Sequence, residues 1–447
     1  MSARRTLPTL ALGLTLIACD EDPPSPGGGD GGGVDLGAAP DLGTLDLGAP
    51  DLGPTLCAEL GTPLGMGVAP PRRDDAAATF DPECGRLFVF FGDQGVPQNC
   101  GFSSAAFSNE GFVFDVRRGT WSTLGPQAGP NPVDRGGVIW DATRKRVVLF
   151  GGRWRAGTSG PYDYPTKVWA FDPEANLWTE LADDASGPRG RMDFVIAADG
   201  AQDRLLVSHG GRFTPDFSGF EVFADTWSFD LAQNTWARVG ENGPTPEALV
   251  YPAGALDAAR GQLWVFSGSG ADAFTAPARQ EMWALDLATN TWTEIPFGAG
   301  FPGARFNSGM VWDAAGDRLV LFGGHDNTEL GNNNDLWSFN LSDRTWREVK
   351  RGDTFNKPAL AFCDFPGDFT NADLDSPERR AAHIFVAGDP GAALTYGGNT
   401  DCGLANDTWS LDLATDTWSQ VTVSPSGMTC PRTGNPDCAA PTARMCD

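Results

Sequence analysis

A short aromatic hairpin recurs along the chain, and this repeat constrains the fold more than any other feature. In its clearest copy, Trp409 and Leu411 alternate along one predicted strand, a polar turn follows, and Trp418 begins the return strand. Two aromatic residues stand nine positions apart in six copies, at Phe112/Trp121, Trp169/Trp178, Trp227/Trp236, Trp283/Trp292, Trp337/Trp346 and Trp409/Trp418. The period predicts a repeat protein whose neighbouring units must stack to bury their apolar faces.

Two further strand signals precede each hairpin. The first carries small or apolar residues and ends near an aspartate, as in Val138-Ile139-Trp140-Asp141. The second is an apolar run that ends in glycine, as in the segment 147–152. The high counts of glycine (57), proline (34) and tryptophan (15) are typical of frequent turns between aromatic-rich strands. Each repeat is therefore predicted to form four antiparallel strands.

These features together resemble the kelch repeat. An apolar strand ends in Gly-Gly, a variable loop follows, and two aromatic residues come at fixed spacing. The entry to the first strand, Arg305-x-x-Ser308-x-x-Val311, is also similar to kelch, and the same pattern begins at Arg380. The resemblance covers about 350 of 447 residues in six copies. It implies an all-β fold, a six-bladed kelch-type β-propeller with four antiparallel strands per blade.

Two copies depart from the pattern. The first has Gly92-Asp93 in place of Gly-Gly, and the fourth has Ser267-Gly268 and places Glu247 where no arginine enters the first strand. We interpret both as divergent blades. The predicted blades cover about 72–126, 130–183, 187–241, 246–297, 303–350 and 377–423.

The segments before the repeats are predicted to lie outside the fold. Arg4 and Arg5 precede an apolar stretch from Leu7 to Ala18, and Cys19 follows it directly. This order resembles a bacterial lipobox, which implies a signal peptide over 1–18, cleavage before Cys19 and lipidation of its thiol. An ordinary secretory signal with a nearby cysteine is the alternative. The lipobox reading implies a lipid-anchored protein of the bacterial cell envelope on the extracytoplasmic side, with the bilayer as a partner.

Residues 19–56 are predicted to form a disordered tether, because this Gly-, Pro- and Asp-rich stretch has too few large apolar residues to offset the entropy of ordering. The remaining segment, 57–447, is predicted to hold the propeller and its cysteine-containing tails. The first copy starts with its inner strand and the sixth ends with its outer strand. The ring is therefore expected to close without exchanging a strand between the termini.

Eight cysteines remain once Cys19 is set aside, and an even number in an exported chain predicts disulfides. They are Cys57, Cys84, Cys100, Cys363, Cys402, Cys430, Cys438 and Cys446. We expect disulfides to fasten the first blade to the sixth, with Cys363–Cys402 as the preferred pair. Strand order places Cys57 with these on the face of the long loops. Cys84 lies in a turn on the opposite face, where only a tail reaches it.

Candidate ligand-binding residues lie in the long loops after the second strands. Arginine and aromatic side chains on a rigid scaffold suit a glycan or a peptide, through stacking and bidentate hydrogen bonds. The candidates are Arg153, Trp154, Tyr162, Arg212, Phe213 and His325. The alternative is that these side chains only fold the loops onto themselves.

The sequence offers no catalytic, metal or cofactor motif. It holds three histidines, of which His383 fills a position common in kelch units and His209 is interpreted as the residue that replaces the aromatic before Gly-Gly. A net charge of −26 makes nucleic acid an improbable partner. The predicted function is a membrane-anchored extracytoplasmic module that binds protein or carbohydrate.

Two alternatives remain open. One is a purely structural surface lipoprotein. The other follows from the kelch resemblance, because exported sialic-acid epimerases or mutarotases look like isolated kelch propellers with arginines facing the channel. Here those arginines would be Arg73, Arg191, Arg305 and Arg380.

Overall fold

The protein is described here from a computed structural model. It describes residues 57–95, 106–125, 128–157, 160–183, 186–273, 276–298, 300–326, 331–352, 375–388, 391–400 and 403–422. The regular elements within these ranges are all β-strands, and none of this part of the chain forms a helix long and apolar enough to cross a membrane. The predicted signal peptide, Cys19 and the predicted tether lie outside the described residues.

Six antiparallel sheets form the blades of a β-propeller, which confirms the predicted fold. In chain order the strands are β1 (Thr62–Pro63), β2 (Ala77–Asp81), β3 (Arg86–Phe90), β4 (Gly111–Asp115) and β5 (Thr120–Thr123) in blade 1; β6 (Asp134–Asp141), β7 (Arg146–Arg153), β8 (Val168–Asp172) and β9 (Leu177–Ala182) in blade 2; β10 (Val195–Asp199), β11 (Arg204–Ser208), the loop strands β12 (Gly211–Phe213) and β13 (Phe220–Val222), β14 (Thr226–Asp230) and β15 (Thr235–Val239) in blade 3; β16 (Ala253–Asp257), β17 (Gln262–Phe266), β18 (Met282–Asp286) and β19 (Thr291–Glu294) in blade 4; β20 (Gly309–Asp313), β21 (Arg318–Phe322), the loop strands β22 (His325–Asp326) and β23 (Gly331–Asn332), β24 (Leu336–Asn340) and β25 (Thr345–Lys350) in blade 5; and β26 (Arg380–Ala381), β27 (Ile384–Ala387), β28 (Ala392–Tyr396), β29 (Asn399–Thr400), β30 (Gly403–Leu404), β31 (Thr408–Asp412) and β32 (Thr417–Thr422) in blade 6.

Strand order defines two faces of the ring. The four main strands of each blade pair in sequence, and the first strands of neighbouring blades lie side by side around the centre, with β27 next to β2. Loops after the second strands and connectors between blades therefore emerge on one face, which we call the loop face. The turns after the first and third strands emerge on the other, the turn face. As expected, the four main strands of each blade come from one repeat and the ring closes without strand exchange.

A closed ring of backbone hydrogen bonds joins the blades at the loop-face end of the central channel. One residue at or just before the start of each first strand donates its amide to the carbonyl of the equivalent residue in the preceding blade, at 2.8 to 3.2 Å. All of them have φ between 51° and 64°. We call these residues the mouth ring: Asp75, Arg135, Asp193, Tyr251, Asn307 and Ala382.

A second closed ring uses glycines at the ends of the second strands. Each donates its amide to a carbonyl of the next blade at 2.8 to 3.1 Å, with φ between 91° and 105°. A Cβ on Gly152 would stand 2.7 Å from the carbonyl oxygen of Asp134, so this position requires glycine. The full set is Gly92, Gly152, Gly210, Gly268, Gly324 and Gly398.

The glycine ring corrects the alignment of three repeats, the first, the third and the fourth. Gly92 occupies the position of the second glycine, so the first repeat has Phe91-Gly92 where we had aligned Gly92-Asp93. His209, with φ of 62°, replaces the first glycine and not the aromatic residue before it. In blade 4 the residue in place of the entry arginine is Leu249, whose carbonyl accepts from Gly210, and not Glu247.

The aromatic hairpins supply the packing between blades. Trp121 and Trp292 are 0% and 2% exposed. Trp292 packs with Leu206 of blade 3 and Leu285 of blade 4 in one apolar cluster. The polar turns have a local cause, as in the last hairpin, where the Asp412 carboxylate accepts from two turn amides at 2.8 and 2.9 Å.

The N-terminal segment runs along the outer edge of blade 1, and its course corrects the predicted face on which Cys57 lies. Cys57 forms a disulfide with Cys84 in the turn between β2 and β3, so it lies on the turn face and not on the loop face. The chain then adds β1 to the outer edge of blade 1 as a fifth strand. The expectation that a tail must reach Cys84 is confirmed. The preferred pair Cys363–Cys402 falls outside the described residues.

The same segment also fastens blade 1 to blade 6. The Tyr396 hydroxyl donates to the carbonyl of Pro71 at 2.9 Å, and the Asn406 amide donates to that of Pro70 at 3.0 Å. The amide of Arg73 donates to the carbonyl of Ala405 at 3.2 Å. The N-terminal segment therefore contributes to ring closure through hydrogen bonds, whereas we had expected disulfides between these two blades.

We predict that Trp292→Ala lowers the free energy of unfolding by about 3–5 kcal/mol, because it leaves a cavity between two blades that cannot collapse fully. Urea denaturation followed by far-UV circular dichroism measures the change. Leu177→Ala is the control, because Leu177 is 49% exposed, and it should change the free energy by less than about 1 kcal/mol. Equal losses in the two variants would contradict this packing role.

Candidate functional site

Ion pairs link three blades at the mouth of the central channel. The Arg135 guanidinium contacts the carboxylates of Asp75 and Asp193 at 2.7 and 3.1 Å, so one side chain joins blades 1, 2 and 3. Beside it, Arg153 forms a bidentate pair with Asp134 at 2.8 and 2.9 Å. The Asp75 and Asp193 side chains are 6% and 7% exposed, and that of Arg135 is 17% exposed.

Carboxyl groups outnumber guanidinium groups at this mouth. Asp74 and Asp93 are cross-strand neighbours, and Asp93 accepts from the amides of Gly95 and Ala106 at 2.7 and 2.8 Å. Five carboxyls thus surround two guanidinium groups. We call this set the mouth cluster: Asp74, Asp75, Asp93, Asp134, Asp193, Arg135 and Arg153.

Burial and the surplus of carboxyl groups raise the pKa values of aspartates in the mouth cluster. Burial, reinforced by the nearby Asp193 and Asp134 carboxylates, raises the pKa of Asp75 to about 8 in spite of the contact with Arg135. Burial likewise raises the pKa of Asp193 to about 6. The pKa values of Asp74 and Asp93 are also raised, mainly by burial. At least one carboxyl of the mouth cluster therefore keeps its proton near neutral pH.

Four rings form an aromatic patch beside the mouth cluster, on the loops of blades 1, 2 and 3. Tyr162 lies at its centre, with ring centroids 6.2 Å from Phe107, 5.9 Å from Phe213 and 5.9 Å from Phe217. Phe217 is 46% exposed, and the other three are partly exposed. We use the name aromatic patch for Phe107, Tyr162, Phe213 and Phe217.

Arg153 joins the patch to the mouth cluster. Its guanidinium carbon lies 4.4 Å from the centroid of Tyr162 and 5.3 Å from that of Phe213, while its nitrogens bind Asp134. Arg155 lies 4.5 Å from the Tyr162 centroid. Such cation–π contacts orient the tyrosine ring and add to the stability of the loops.

The rings continue from the patch around the channel mouth. Phe213 stacks on Phe220 at 4.6 Å, and Phe220 meets the mouth-ring residue Tyr251 at 5.7 Å. Tyr251 contacts Phe306 at 5.6 Å, which in turn contacts His325 at 5.1 Å. Aromatic contacts thus connect the loop face of blade 1 with that of blade 5.

The structure brings together three of the six sequence-predicted candidates, Arg153, Tyr162 and Phe213. Arg212 lies next to them and pairs with Glu221, its Nε being 2.7 Å from the carboxylate. Trp154 is only partly exposed and packs against the apolar cluster between blades 1 and 2. His325 is 4% exposed, and its Nδ1 lies 2.9 Å from the side-chain oxygen of Asn332.

The mouth-ring side chains were missed as candidates. Asp75, Arg135, Asp193 and Tyr251 each stand two positions after the kelch entry residue or its replacement. Comparison of that position across the repeats would have shown two acids, an arginine and a tyrosine at equivalent sites. These positions lie at or just before the start of the first strands and outside the long loops that hold the predicted candidates.

The kelch arginines are not the channel-facing groups that an epimerase would require. Arg73, Arg191, Arg305 and Arg380 are 0 to 4% exposed. Each arginine donates to the carbonyl of the residue that precedes the ring glycine in its own blade. Each also contacts a carboxylate that stands two positions before the first aromatic residue of the hairpin. In blade 6 that carboxylate, Asp407, also accepts from the indole of Trp409 at 2.8 Å. These arginines therefore stabilise the aromatic hairpins of their own blades.

Two buried histidines belong to the blade interfaces. Burial lowers the pKa of His209 to about 4 and that of His383 to about 3. His383 packs edge-on against Phe322 at 5.1 Å, and His209 against Trp292 at 5.8 Å. Both are therefore neutral packing residues at neutral pH. Among the described residues, no group of three or more His, Cys, Asp or Glu side chains is placed to hold a metal ion.

Comparison with known proteins identifies the family. The model of the KLHDC2/KLHL20/DRC7 kelch-repeats domain matches residues 58–253 and 242–363. The chain is 24% identical over 301 residues to Kelch domain-containing protein 10 of Rattus norvegicus, covering 65% of each chain. The human protein of that name is also 24% identical, over 65% of this chain and 61% of its own length. The chain thus spans less than two thirds of the length of these two curated relatives.

A more distant similarity is to the leucine-zipper-like transcriptional regulator 1 homolog of Drosophila melanogaster. It is 27% identical over 162 residues, which cover 36% of this chain and 14% of that protein. The fold, the two rings of inter-blade bonds and the family match agree on one class, the kelch β-propellers. The chain belongs to the kelch-repeat family.

We predict that the protein loses about 1 kcal/mol of unfolding free energy between about pH 7 and pH 8 through Asp75. The Asp75 pKa is raised to about 8 in the folded protein, whereas an unfolded aspartate is ionised above about pH 4. Unfolding in this window therefore releases a proton and becomes easier as pH rises. Urea denaturation at several pH values measures the slope.

Asp75→Asn should show a smaller slope, because asparagine has no proton to release. Asp183→Asn, at an exposed position, is the matched control and should keep the wild-type slope. The same slope in wild type and Asp75→Asn would contradict the assignment.

Proposed function

We propose that the protein is a lipid-anchored, extracytoplasmic kelch propeller that binds a protein partner on its loop face. The observation that carries the proposal is the aromatic patch, where one exposed phenylalanine stands among stacked rings on a rigid scaffold. Aromatic residues held in this way are the typical energetic centres of protein interfaces. The family match supports a protein ligand, because the kelch propeller is suited to act as a protein-binding module.

The location of the site on loops supports the same function. The inter-blade rings fix the ends of the strands, so the patch residues start from positions that a partner does not have to order. Phe213 lies in the short hairpin of β12 and β13, which gives its ring a fixed backbone. A carbohydrate ligand would also use stacked rings, and it remains part of the test below.

The anchor is proposed from the sequence order of Arg4, Arg5, the apolar stretch and Cys19. Residue 57, where the described chain begins, lies on the turn face through its disulfide to Cys84. The described chain therefore enters the propeller on the turn face, whereas the aromatic patch lies on the loop face.

The enzyme alternative finds no support in the geometry. Its four arginines are buried and engaged with carbonyl and carboxylate oxygens of their own blades. The other alternative is a purely structural surface protein, and it predicts that loss of the exposed Phe217 ring has no effect on any binding event.

To test binding, we would express the tagged full chain in its native host and capture partners by chemical cross-linking. Phe217→Ala is expected to weaken the main partner's binding by roughly tenfold or more, as loss of an interface centre does. Arg347→Ala, which removes an exposed side chain of the outer strand β25, is the control and should retain the partner. A partner held equally by both variants would place the interface elsewhere and contradict the proposal.

A glycan array probed with the same proteins covers the carbohydrate alternative. A glycan whose binding requires Phe217, in the absence of any protein partner that does, would replace the protein ligand by a carbohydrate.

The anchor has its own prediction. Cys19→Ser is expected to abolish incorporation of labelled palmitate and to move the protein from the membrane pellet to the soluble fraction, because the acyl chains supply the membrane affinity. Cys84→Ser is the control and should remain in the pellet. Continued sedimentation of unlabelled Cys19→Ser with membranes would contradict lipid anchoring.

A further inference from the structure

We propose that the partner docks through a basic segment, with an apolar or aromatic side chain on the aromatic patch and a lysine or arginine against the mouth cluster. The inference rests on the proposed function and specifies the chemistry of the partner. Its two parts come from two different features of the loop face, which Arg153 holds together.

The apolar part follows from the exposure of Phe217. This ring is 46% exposed although Tyr162 and Phe213 lie within 5.9 Å of it. Its uncovered surface extends a stacked set of rings, so an incoming side chain would contact several of them at once. Covering apolar surface gains roughly 25 cal/mol per Å², and aromatic pairs gain more through their geometry.

The charged part follows from the composition of the mouth cluster. Both of its guanidinium groups are already engaged, Arg135 with Asp75 and Asp193, and Arg153 with Asp134. Asp74 and Asp93 are the carboxyls left over. In the described part of the chain, the Asp74 side chain accepts no hydrogen bond, and its charge is opposed mainly by the more distant Arg135.

A cation from outside complements this surplus. A partner's ammonium or guanidinium group next to Asp74 would favour the ionised form of this carboxyl, whose pKa burial and the neighbouring carboxylates raise in the free protein. The net charge of −26 adds long-range attraction for a basic chain and repulsion for an acidic one. An acidic partner would face both penalties, so charge complementarity selects the basic one.

The two features are adjacent. Arg153 binds Asp134 of the mouth cluster with its nitrogens and lies beneath Tyr162 and Phe213 of the patch. Phe220 forms a second link, between Phe213 and the mouth-ring residue Tyr251. A single short peptide segment can therefore reach both, with alternating basic and aromatic residues.

The test uses three fluorescein-labelled hexapeptides of stated sequence, with alternating Lys and Phe, Glu and Phe, or Lys and Ala. Fluorescence anisotropy with the full chain measures their affinities at low and moderate salt. The Lys/Phe peptide is expected to bind at least about tenfold more tightly than either of the others, because only it satisfies both features. Stronger binding of the Glu/Phe peptide would overturn the proposal.

Variants separate a site from general attraction to an acidic surface. Asp74→Asn and Phe217→Ala should each weaken the Lys/Phe peptide by about five- to tenfold, as expected for a charge contact and an aromatic centre. Asp343→Asn on the turn face and the exposed Leu177→Ala are matched controls and should leave binding unchanged. Equal weakening by Asp74→Asn and Asp343→Asn would mean non-specific attraction and would overturn the proposal.

The peptide experiment and the cross-linking experiment can fail independently of each other. If the cross-linked partner is lost in Phe217→Ala but the Lys/Phe peptide does not bind, the loop face binds a protein whose chemistry is not basic. If the partner is retained in Phe217→Ala, the proposed function itself fails, whatever the peptides do.

Discussion

The structure depends on hydrogen bonds between blades at one end of the channel. Two closed sets of backbone bonds, one through the mouth ring and one through the ring glycines, tie each blade to the next and the sixth to the first. Their geometry requires positive φ at every donor, which is why glycine is needed where a Cβ would meet a neighbouring carbonyl. Side-chain packing by the tryptophans then fills the space that these bonds define.

The sequence predicted the blades because the hairpin period and the apolar second strands depend on local patterns. It did not predict the mouth cluster, because Asp75, Arg135 and Asp193 lie about 60 residues apart in the chain and meet only when the ring closes. Cys57 was misplaced for a related reason. Strand order fixes the face of a loop between strands, but not that of a terminal segment, which folds back along the blade edge to reach Cys84. Of the six candidate site residues, Arg153, Tyr162 and Phe213 lie together, because each lies at or beyond the end of a second strand on the same face of the ring.

The same residue type serves two purposes in this fold. Arg305 and Arg380 lie inside their blades, where each joins a backbone carbonyl to the carboxylate that orients a tryptophan. Arg135 and Arg153 lie at the channel mouth, where they hold carboxyls of different strands and blades together. The first pair stabilises each repeat by itself. The second pair lies where two different surfaces of the loop face meet, the acidic mouth cluster and the aromatic patch beside it.

The disulfide between Cys57 and Cys84 has a mechanical consequence. It encloses residues 58–83 in a covalent loop, which contains β1, β2 and the blade 1 members of the mouth ring and mouth cluster up to Asp75. A force applied to the chain before Cys57 passes through the sulfur bridge directly to the turn between β2 and β3. The enclosed strands are thereby spared the load, and tension on the N-terminal side cannot peel the enclosed segment from blade 1 while the bridge is intact.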